Sequence, residues 1–526
     1  MYLSSLLTLA SGLLAIALLS YIIYQVKFHP LAKYPGPFLA KLTNAYAAYH
    51  AWKQDIHIDM WRCHRKYGAF MRYGPNTVLV NTVAGMKDIY GSGEKVIKSK
   101  SYNAMVHRTP SVLTIRDRKE HSARRRLIGQ GMGDAAMRAH EPTVMRHVDA
   151  LCEQLAPLDG SWSELQDMAE WSSYLLFDIM TEVVFGLKYD LIGSKAHRHV
   201  IDAIAIANIR TTILLYFPKL MWNRLDKKLL PASIAARNAF LMFMGKLLHD
   251  RYRVKPADNA RDVLSALLKV RDVDTGKGLN TEQINADSTT LVIAGSDTTA
   301  TALCALFFYL GRHPYAYQRA RDEVRNAFTT RDMIRPGAAL NSCTYLRACI
   351  DETLRLTPPI GGSLLREVAA SGGISIDGHM FAPGTDVGTS IYAIHHNPNY
   401  FVRPHAFMPE RWIGDDNDDK GEAETRRVQH KAMHVFSSGP RGCVGKSMAL
   451  VELMLTMATV LWTMDMRPAT GAAGDVGGGN PDSGVLGRHD PDEYQLFHGG
   501  ITSIKKGPLL QFSRRRLGMV GVAGQP

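Results

Sequence analysis

The sequence predicts a mainly α protein with small β-sheets, preceded by a single N-terminal transmembrane helix. Three observations predict this class. Residues 1–26 contain no charged side chain, most of residues 130–330 carry the apolar spacing of helices, and strand-like alternation is confined to a stretch near the N-terminus and another after residue 365. With 526 residues and 46% hydrophobic content, the chain is long enough to bury a large core.

Residues 1–26 form the predicted membrane anchor, because Leu3 to Tyr24 consists mostly of Leu, Ile and Ala. A helix of about 22 residues spans about 33 Å, enough for a hydrocarbon core of about 30 Å. A cleaved signal peptide is the alternative, but the stretch is long for one and lacks a basic start. Lysines 27, 33 and 41 precede the first acidic residue, Asp55, so the positive-inside rule places the rest of the chain in the cytosol.

Residues 27–41 form a predicted hinge, whose prolines 30, 35 and 37 favour a stiff, extended connector. The catalytic body is expected over residues 42–526. Alternation from Gly68 to Thr82 around a Gly-Pro-Asn turn predicts a β-hairpin early in this body. The segment at about 470–490, rich in Gly, Pro and Asp, is expected to be a flexible surface insertion, and Arg514 to Arg516 begin a basic tail.

The charge balance restricts the classes of partner. The chain has 62 basic and 49 acidic residues, a net charge of +13, which suits an acidic protein surface, anionic lipid or nucleic acid. Because no zinc-finger spacing or RNA-binding aromatic signature accompanies the charge, no nucleic-acid partner is expected. The six cysteines are widely scattered and do not resemble a disulfide framework, so a reducing compartment is expected.

The most specific pattern is a cysteine loop at 436–445, followed by an apolar helix at 448–464. Backbone N–H groups and the positive end of this helix are expected to point at the sulfur of Cys443 and to favour its thiolate. Arg441 offers a cation to a carboxylate. A buried structural cysteine is the alternative, but five specified positions together favour a metal ligand. They are Phe436, Gly439, Arg441, Cys443 and Gly445.

A second pattern interrupts the long apolar helix predicted from Asp287 to Leu310. Its residues 294–299, Ala-Gly-Ser-Asp-Thr-Thr, are mostly poor helix formers whose side chains compete for backbone groups, so a local distortion is expected there. A helix that starts at Asp297 after a break is the alternative. The apolar residues 291–293 just before the motif argue against such a break.

Three further patterns of polar residues do not indicate a function by themselves. His121 and Arg125 lie one turn apart on a predicted helix from Asp117 to Leu127, which by itself is a solvated basic helix. Glu352 and Arg355 form an i,i+3 pair that is common on any solvated helix. Arg366 stands at the start of a predicted strand, where a surface arginine is equally expected.

Together these motifs resemble the cytochrome P450 family. Residues 436–445 read Phe-x-x-Gly-x-Arg-x-Cys-x-Gly, which is similar to its haem-ligand signature, and residues 294–299 resemble its oxygen-activation motif. Glu352-x-x-Arg355 and the Pro-Glu-Arg-Trp string at 409–412 resemble its salt-bridge motifs. The proline-rich hinge is similar to that of microsomal, filamentous-fungal members. The resemblance covers essentially the whole chain in the expected order and implies the cytochrome P450 fold.

The resemblance also implies roles for individual residues. Cys443 is implied as the axial thiolate ligand of haem b, in a loop shaped by Phe436, Gly439 and Gly445. Thr298 is implied as a hydrogen-bond donor to bound oxygen and Asp297 as a proton relay, next to a kink at Gly295. The haem propionates are implied to contact His121, Arg125, Arg366 and Arg441, while Glu352, Arg355 and Arg411 form a buried structural network, and Arg124 and Arg126 face outwards in a basic docking surface.

The implied function is a haem-thiolate monooxygenase that inserts one oxygen atom from O2 into a lipophilic small molecule. Hydroxylation, or a related oxidation, of a terpenoid, polyketide or alkaloid in fungal secondary metabolism is expected. The implied site is the endoplasmic reticulum membrane, with electrons from NADPH-cytochrome P450 reductase and with cytochrome b5 as a second candidate partner. The alternative is a non-catalytic haem-binding membrane protein or scaffold, against which intact Cys443, Thr298 and Asp297 argue.

Overall fold

The computed structural model describes residues 2–91, 94–253, 262–272, 276–414, 420–498 and 503–515. Arg516 and the rest of the predicted basic tail lie outside the described residues. The α-helices of the described residues are α1 (Tyr2–Ile23), α2 (Phe38–Leu42), α3 (Ala45–Trp52), α4 (Ile56–Tyr67), α5 (Val83–Tyr90), α6 (Arg118–Met132), α7 (Asp134–Leu155), α8 (Met168–Phe185), α9 (His199–Tyr216), α10 (Leu225–Leu229), α11 (Pro231–Arg253), α12 (Val263–Lys269), α13 (Thr281–Arg312), α14 (Pro314–Ala327), α15 (Ala338–Asn341), α16 (Thr344–Leu356), α17 (Ile391–His395), α18 (Lys420–Ala432) and α19 (Lys446–Thr463).

The strands are short and few, as predicted. They are β1 (Phe70–Gly74), β2 (Thr77–Val80), β3 (Val96–Lys98), β4 (Gln166–Asp167), β5 (Arg366–Val368), β6 (Ile374–Ile376), β7 (His379–Phe381), β8 (Asp386–Gly388), β9 (Met464–Pro468), β10 (Phe497–His498), β11 (Ser503–Ile504) and β12 (Leu509–Arg514). The predicted hairpin is the antiparallel pair β1–β2. Strands from both predicted β regions meet in one sheet, in the order β1-β2-β8-β5-β3, while β6 and β7 form a separate antiparallel pair. The C-terminal strand β12 pairs with β9 and with β4.

Helix α1 is the expected membrane anchor. With the π-helical turn Tyr24–Phe28 that follows, it forms a span with a mean hydropathy of 2.3 and no buried residue in its most apolar window. Among the described residues, α9, α13 and α19 are also long and apolar enough to cross a membrane. These three helices pack inside the body, and only the N-terminal span is left entirely uncovered.

The connector after α1 is folded onto the body, which corrects the expectation of an extended hinge over residues 27–41. Its last part is helical, because α2 begins at Phe38. Arg72 of β1 donates hydrogen bonds to the backbone oxygen of Gln25 at 2.6 Å and to its side-chain oxygen at 2.5 Å. The ring of Tyr34 stacks on those of Phe70 and Phe381. These contacts fix the anchor to the β-sheet side of the protein.

Helix α13 runs through the centre of the largest hydrophobic core. Every residue from Ala300 to Leu310 is buried, with at most 2% exposure. A helix that is apolar on all sides is stable only when other elements surround it, and α8, α16 and α19 pack around this one. This placement carries the preceding residues, 294–299, into the interior of the protein.

The segment at 470–490 is folded rather than a loose insertion. Gly479 and Asn480 donate backbone hydrogen bonds to the carbonyls of Asp490 and Arg488 at 2.9 Å, which closes the segment on itself. Arg62 of α4 donates to the carbonyl oxygen of Leu486 at 2.8 Å. A low-complexity composition does not reveal such backbone pairing, and the flexibility of the segment stays a prediction.

Candidate functional site

The loop that carries Cys443 is closed by its own backbone. The N–H group of Cys443 donates to the carbonyl of Phe436 at 2.8 Å, and that of Gly442 donates to the carbonyl of Gly439 at 3.0 Å. Gly439 has φ +66°, and a Cβ there would lie 2.2 Å from the carbonyl oxygen of Tyr90. Only glycine satisfies both demands. These contacts fix the backbone conformation of the loop, which ends where α19 begins.

Cys443 keeps an exposed surface, unlike the other five cysteines, which are all buried, although protein atoms pack closely around its sulfur. Burial by the surrounding protein atoms raises the pKa of this thiol, while the N–H groups of Gly445 and Lys446 and the charge of Arg125 act in the opposite direction. The backbone N–H groups and the helix end thus act in the predicted direction, but the net shift of this pKa is upward. A cation at the sulfur is needed to reverse it, as metal coordination does.

Residues 294–299 of α13 include an accessible position, Ala294, and contact the helix that follows the cysteine loop. Ala294 is exposed although Val292 and Ser296, two residues away on either side, are buried. The hydroxyl of Thr298 donates to the carbonyl of Ala294 at 2.6 Å. Thr299, the next residue, contacts Glu452 of α19, and burial raises the pKa of Glu452 to about 8. Residues 294–299 lie on α13 and the cysteine loop leads into α19, so the two motifs belong to helices in direct contact.

Helix α13 is continuous from Thr281 to Arg312, so the alternative of a break before Asp297 is wrong. The hydroxyls of Ser296 and Thr301 also bond to carbonyls four residues earlier, at 2.7 and 2.8 Å. A Cβ at Gly295 would lie 2.6 Å from the methyl carbon of Met180 in α8. A side chain at position 295 would thus require Met180 to shift, and the implied kink stays a prediction.

Asp297 is held by a lysine that no motif indicates. The amino group of Lys505 donates to its Oδ1 at 2.8 Å, and the two side chains are 8% and 17% exposed. Lys505 follows the short strand β11, 208 residues later in the chain. The carboxylate is therefore oriented by an ion pair while its other oxygen is left for a further partner.

Four cations converge beside the cysteine loop. Lys98 of β3 and Arg366 of β5 stand directly opposite each other in the sheet, where like charges destabilise the pairing. Arg125 donates to the carbonyl of Gly442 at 2.6 Å. Arg441 donates at 2.8 Å to the carbonyls of residues 115 and 116. Among the described residues, none of the four cations forms a salt bridge with a carboxylate.

His121 lies within this cation cluster, defined as Lys98, Arg125, Arg366 and Arg441. Burial and the four neighbouring charges lower the pKa of His121 to about 3. Burial and the same kind of repulsion, here from Arg125, Arg366 and Arg441, lower the pKa of Lys98 well below its ordinary value. Sequence reasoning missed Lys98, because a lysine at the end of a three-residue strand carries no motif. The cluster provides strong positive potential for an anion.

The structure places Arg124 inside the protein, which corrects the expectation that it faces outwards with Arg126. Its guanidinium donates to Oδ2 of Asp287 at 2.8 Å, with both side chains at most 3% exposed. The backbone N–H of Val112 donates to the other oxygen of Asp287 at 2.7 Å. Arg126 is half exposed and pairs with Asp272 at 2.9 Å. Arg124 therefore fixes α6 to α13 and is not part of a docking surface.

Glu352, Arg355 and Arg411 meet in a buried network, at the positions where sequence motifs placed them. Arg355 donates two hydrogen bonds to the carboxylate of Glu352, at 2.8 and 2.9 Å, and Arg411 donates one at 3.1 Å. Trp412 adds a fourth donor at 2.9 Å. Although burial raises the pKa of Glu352, the two arginines outweigh it, and the net direction is downward.

The residues present fit a haem. An accessible soft sulfur suits the iron, the cation cluster suits two propionate carboxylates, and the uncovered residue Ala294 leaves space on α13. Like-charged groups gathered without a counter-ion are costly, so an anionic partner accounts for a feature that the protein alone does not explain. Cys443, Arg125, Arg366, Arg441 and Lys98 are the residues that would hold the group.

Comparison with known proteins agrees with this fit. The profile of the family described as Cytochrome P450 matches residues 34–473. Among similar relatives, cytochrome P450 monooxygenase AKT7 of Alternaria alternata is 45% identical over 510 residues, covering 95% of this chain and 97% of the relative. Cytochrome P450 monooxygenase poxM of Penicillium oxalicum is 42% identical over 511 residues, covering 96% and 94%. Cytochrome P450 monooxygenase atnE of Emericella nidulans is 40% identical over 518 residues, covering 96% of each.

The predicted family, fold class and enzyme class are therefore confirmed. Members of the family carry a haem-thiolate cofactor, take electrons from a redox partner and oxidise lipophilic substrates. The relatives are monooxygenases, which supports the catalytic reading over a non-catalytic scaffold. The chain belongs to the cytochrome P450 family and is a haem-thiolate monooxygenase.

Proposed function

We propose that this enzyme is an endoplasmic reticulum monooxygenase that uses haem b to insert one oxygen atom from O2 into a lipophilic fungal secondary metabolite. A terpenoid, polyketide or alkaloid scaffold is the proposed substrate class. The observation that carries the cofactor proposal is the combination of an exposed Cys443 with a cation cluster whose members, among the described residues, bond to backbone carbonyls and form no salt bridge with a carboxylate. Haem b, with two free propionates, supplies both missing partners.

The protein contributes the ligand and the cradle. Bound haem supplies the redox chemistry that activates dioxygen, and an electron-rich thiolate ligand favours O–O cleavage. Cys443 is the proposed ligand, presented by a loop that Gly439 fixes against Tyr90. Arg125, Arg366 and Arg441, with neutral His121, are proposed to bind the propionates in place of the carbonyl contacts that three of these side chains make in this structure.

Thr298 and Asp297 of α13 are proposed to deliver protons for the reaction. A hydroxyl both donates and accepts, so the oxygen of Thr298, now bonded to the Ala294 carbonyl, can pass a proton after a rotation about one bond. Oδ2 of Asp297 is the proposed proton-carrying atom, because Lys505 occupies Oδ1. The partial exposure of Asp297 allows it to be reprotonated from water.

NADPH-cytochrome P450 reductase is the proposed electron donor, with cytochrome b5 as a second partner. The net charge of +13 favours association with an acidic flavin or haem domain, since opposite charges speed encounter. The uncovered α1 supports single-pass membrane attachment, and the lysines that follow it support a cytosolic body. This orientation would place enzyme and reductase on the same face of the membrane.

A lipophilic substrate is supported by the lining of the interior. A small cavity of about 130 Å³ lies between the sheet and α9. Its apolar lining includes Met60, Tyr73, Leu79, Leu215 and Leu365. By resemblance to the family, residues 101–112 and 286–293 are also proposed to line the substrate pocket, and the N–H of Val112 joins the two ranges by donating a hydrogen bond to Asp287 at 2.7 Å.

Reconstitution with reductase tests the proposed activity. Purified holoenzyme in lipid, NADPH, reductase and an extract of the producing fungus lacking this gene should give an oxygenated product that carries label from ¹⁸O₂. Enzyme without NADPH is the control. Failure to consume NADPH above the rate of reductase alone, with haem bound, would favour a non-catalytic haem protein. Metabolite profiling after gene deletion would identify the substrate class.

A further inference from the structure

A group of three potential metal ligands lies outside the haem site. The donor atoms of His396, His405 and Glu493 all lie within 4.8 Å of one another. His396 directly follows α17, His405 stands in the turn before the Pro-Glu-Arg-Trp string, and Glu493 follows the folded segment at 470–490. Three separate stretches of chain therefore present two imidazoles and one carboxylate to a common point.

The separations within this group are those of ligands rather than of hydrogen-bond partners. Nε2 of His396 lies 3.9 Å from Oε1 of Glu493, and Nδ1 of His405 lies 3.4 Å from Oε2. Hydrogen bonds between such atoms are typically about 2.7–3.2 Å long. Two ligands at about 2.0–2.1 Å from a tetrahedral zinc ion stand about 3.3 Å apart. Zinc binding would therefore shorten the separations of the donor atoms, by up to about 1.5 Å for the widest pair.

His396 is prepared to act as a ligand. Its Nδ1 bonds to the carbonyl of Tyr392 at 2.9 Å, and because a carbonyl only accepts, Nδ1 carries the proton. Nε2 then presents its lone pair, and among the described residues it has no hydrogen-bond partner. The side chain is fully buried. Such a backbone bond to the second ring nitrogen is the usual support of metal-ligating histidines.

Glu493 is supported in the same manner. The hydroxyl of Tyr392 donates to its Oε1, and among the described residues this is its only hydrogen-bond donor. A carboxylate that is 5% exposed needs more partners than one hydroxyl. Tyr392 thus orients two members of the group, since it bonds His396 through its carbonyl and Glu493 through its hydroxyl.

The buried salt-bridge network holds the two histidines side by side. Arg355 donates to the carbonyls of His395 and Pro404 at 2.9 and 2.6 Å, and each of these residues immediately precedes one of the histidines. The charge of Arg355 is matched by Glu352, at 2.8 Å. The side chain of His405 is 33% exposed, which provides an entry path and room for a water as fourth ligand.

We propose that His396, His405 and Glu493 bind one zinc ion, which fixes the folded 470–490 segment to the turn before the Pro-Glu-Arg-Trp string. Two imidazoles and a carboxylate form a common zinc donor set, whereas calcium and magnesium prefer all-oxygen sites. The proposed role is structural: the ion would add a direct link between three stretches of chain that Tyr392 and Arg355 already hold close together.

Zinc binding to the tag-free full-length holoenzyme tests this proposal. ZnCl₂ is titrated by calorimetry into enzyme that has been treated with a chelator and dialysed, and the zinc-to-haem ratio is measured by mass spectrometry after a second dialysis. We expect about one zinc per chain and no response to MgCl₂. A wild-type enzyme that binds no zinc, with the haem spectrum intact, overturns the proposal.

Variants locate the ion. His405→Ala and Glu493→Gln should each weaken zinc binding by at least about 10-fold, and Tyr392→Phe should do so by about 10- to 100-fold through loss of a supporting bond. His489→Ala is the matched control, because His489 is an exposed imidazole on the same segment. Equal zinc affinity in His405→Ala, Glu493→Gln and the control would place the ion elsewhere. Because wild-type stoichiometry is measured independently, misfolding of a variant leaves the first test decisive.

Discussion

The buried pair of Arg124 and Asp287 gives a stability prediction that the sequence did not offer. In Arg124→Met, Asp287 would keep only the Val112 N–H as a donor while remaining fully buried. Removing one partner of a buried ion pair costs about 3–5 kcal/mol. An unfolding entropy of about 2.1 cal/mol/K per residue over 526 residues is about 1.1 kcal/mol/K, so the Tm should fall by about 3–5 °C.

Arg126→Met is the matched control. Arg126 neighbours Arg124 in sequence, but its pair with Asp272 is half exposed, and such pairs contribute about 0–1 kcal/mol. Its Tm should therefore change by about 1 °C or less. The double variant Arg124→Met/Asp287→Leu should regain most of the loss, because a buried ion pair replaced by apolar groups is often neutral. Thermal unfolding followed by tryptophan fluorescence measures all three.

The pH dependence supplies a further check. Burial raises the pKa of Asp287 above its ordinary value even beside Arg124, and loss of Arg124 would raise it more. The folded state then binds more protons than the unfolded state, so stability is lost as pH rises and regained as pH falls. The Tm deficit of Arg124→Met should shrink on acidification. A deficit equal to that of the control, or a double variant no more stable than Arg124→Met, would refute the reasoning.

Three further predictions concern the haem site. Gly295→Ala should lower the Tm by about 1–3 °C through overpacking against Met180, and it should lower the Tm less in a Met180→Ala background, which carries its own cavity cost; no change in the single variant would contradict the packing. Lys98→Met should speed haem transfer to an apoprotein acceptor by about 10- to 100-fold, since a charged hydrogen bond contributes about 1.5–3 kcal/mol. The control Lys100→Met, at an exposed lysine, should leave the transfer rate unchanged. Equal rates in the two variants would show that Lys98 does not help to hold the haem. Thr298→Ala should divert NADPH electrons from product to hydrogen peroxide, and an unchanged product-to-NADPH ratio would exclude the proposed proton delivery.

Much of the fold was predictable because its signals are local. The anchor is a continuous apolar run, the β1–β2 hairpin follows from alternation around a turn, and α6 begins where Asp117 caps it by accepting the N–H of Glu120. The Glu352 network was predictable as well, since its members belong to two short motifs. Each of these features depends on residues that are close together in the sequence.

The errors concern partners that are distant in the sequence. Arg124 sits in a basic run that reads as a solvated face, and its partner lies 163 residues away. Lys98 reaches the cation cluster only because β3 pairs with β5. The same holds for Lys505, 208 residues from Asp297. Local residue patterns do not encode such pairings, which depend on how helices and strands pack.

The pKa of Cys443 shows a different limit. The sequence correctly places N–H groups and a helix end near the sulfur, but it does not show how strongly the surrounding atoms bury the thiol. Burial turns out to be the larger effect. The thiolate assignment therefore depends on the metal as well as on the loop, which makes the identity of the iron ligand the central claim.

The reduced-carbon monoxide difference spectrum of the purified full-length protein tests that claim most directly. The wild type should show a Soret maximum at the position of thiolate-ligated haem, and Cys443→Ala should lose that maximum. Haem content measured in parallel distinguishes a changed ligand from a lost cofactor. A wild-type maximum at the position of imidazole-ligated haem, with full haem content, would contradict the assignment of Cys443.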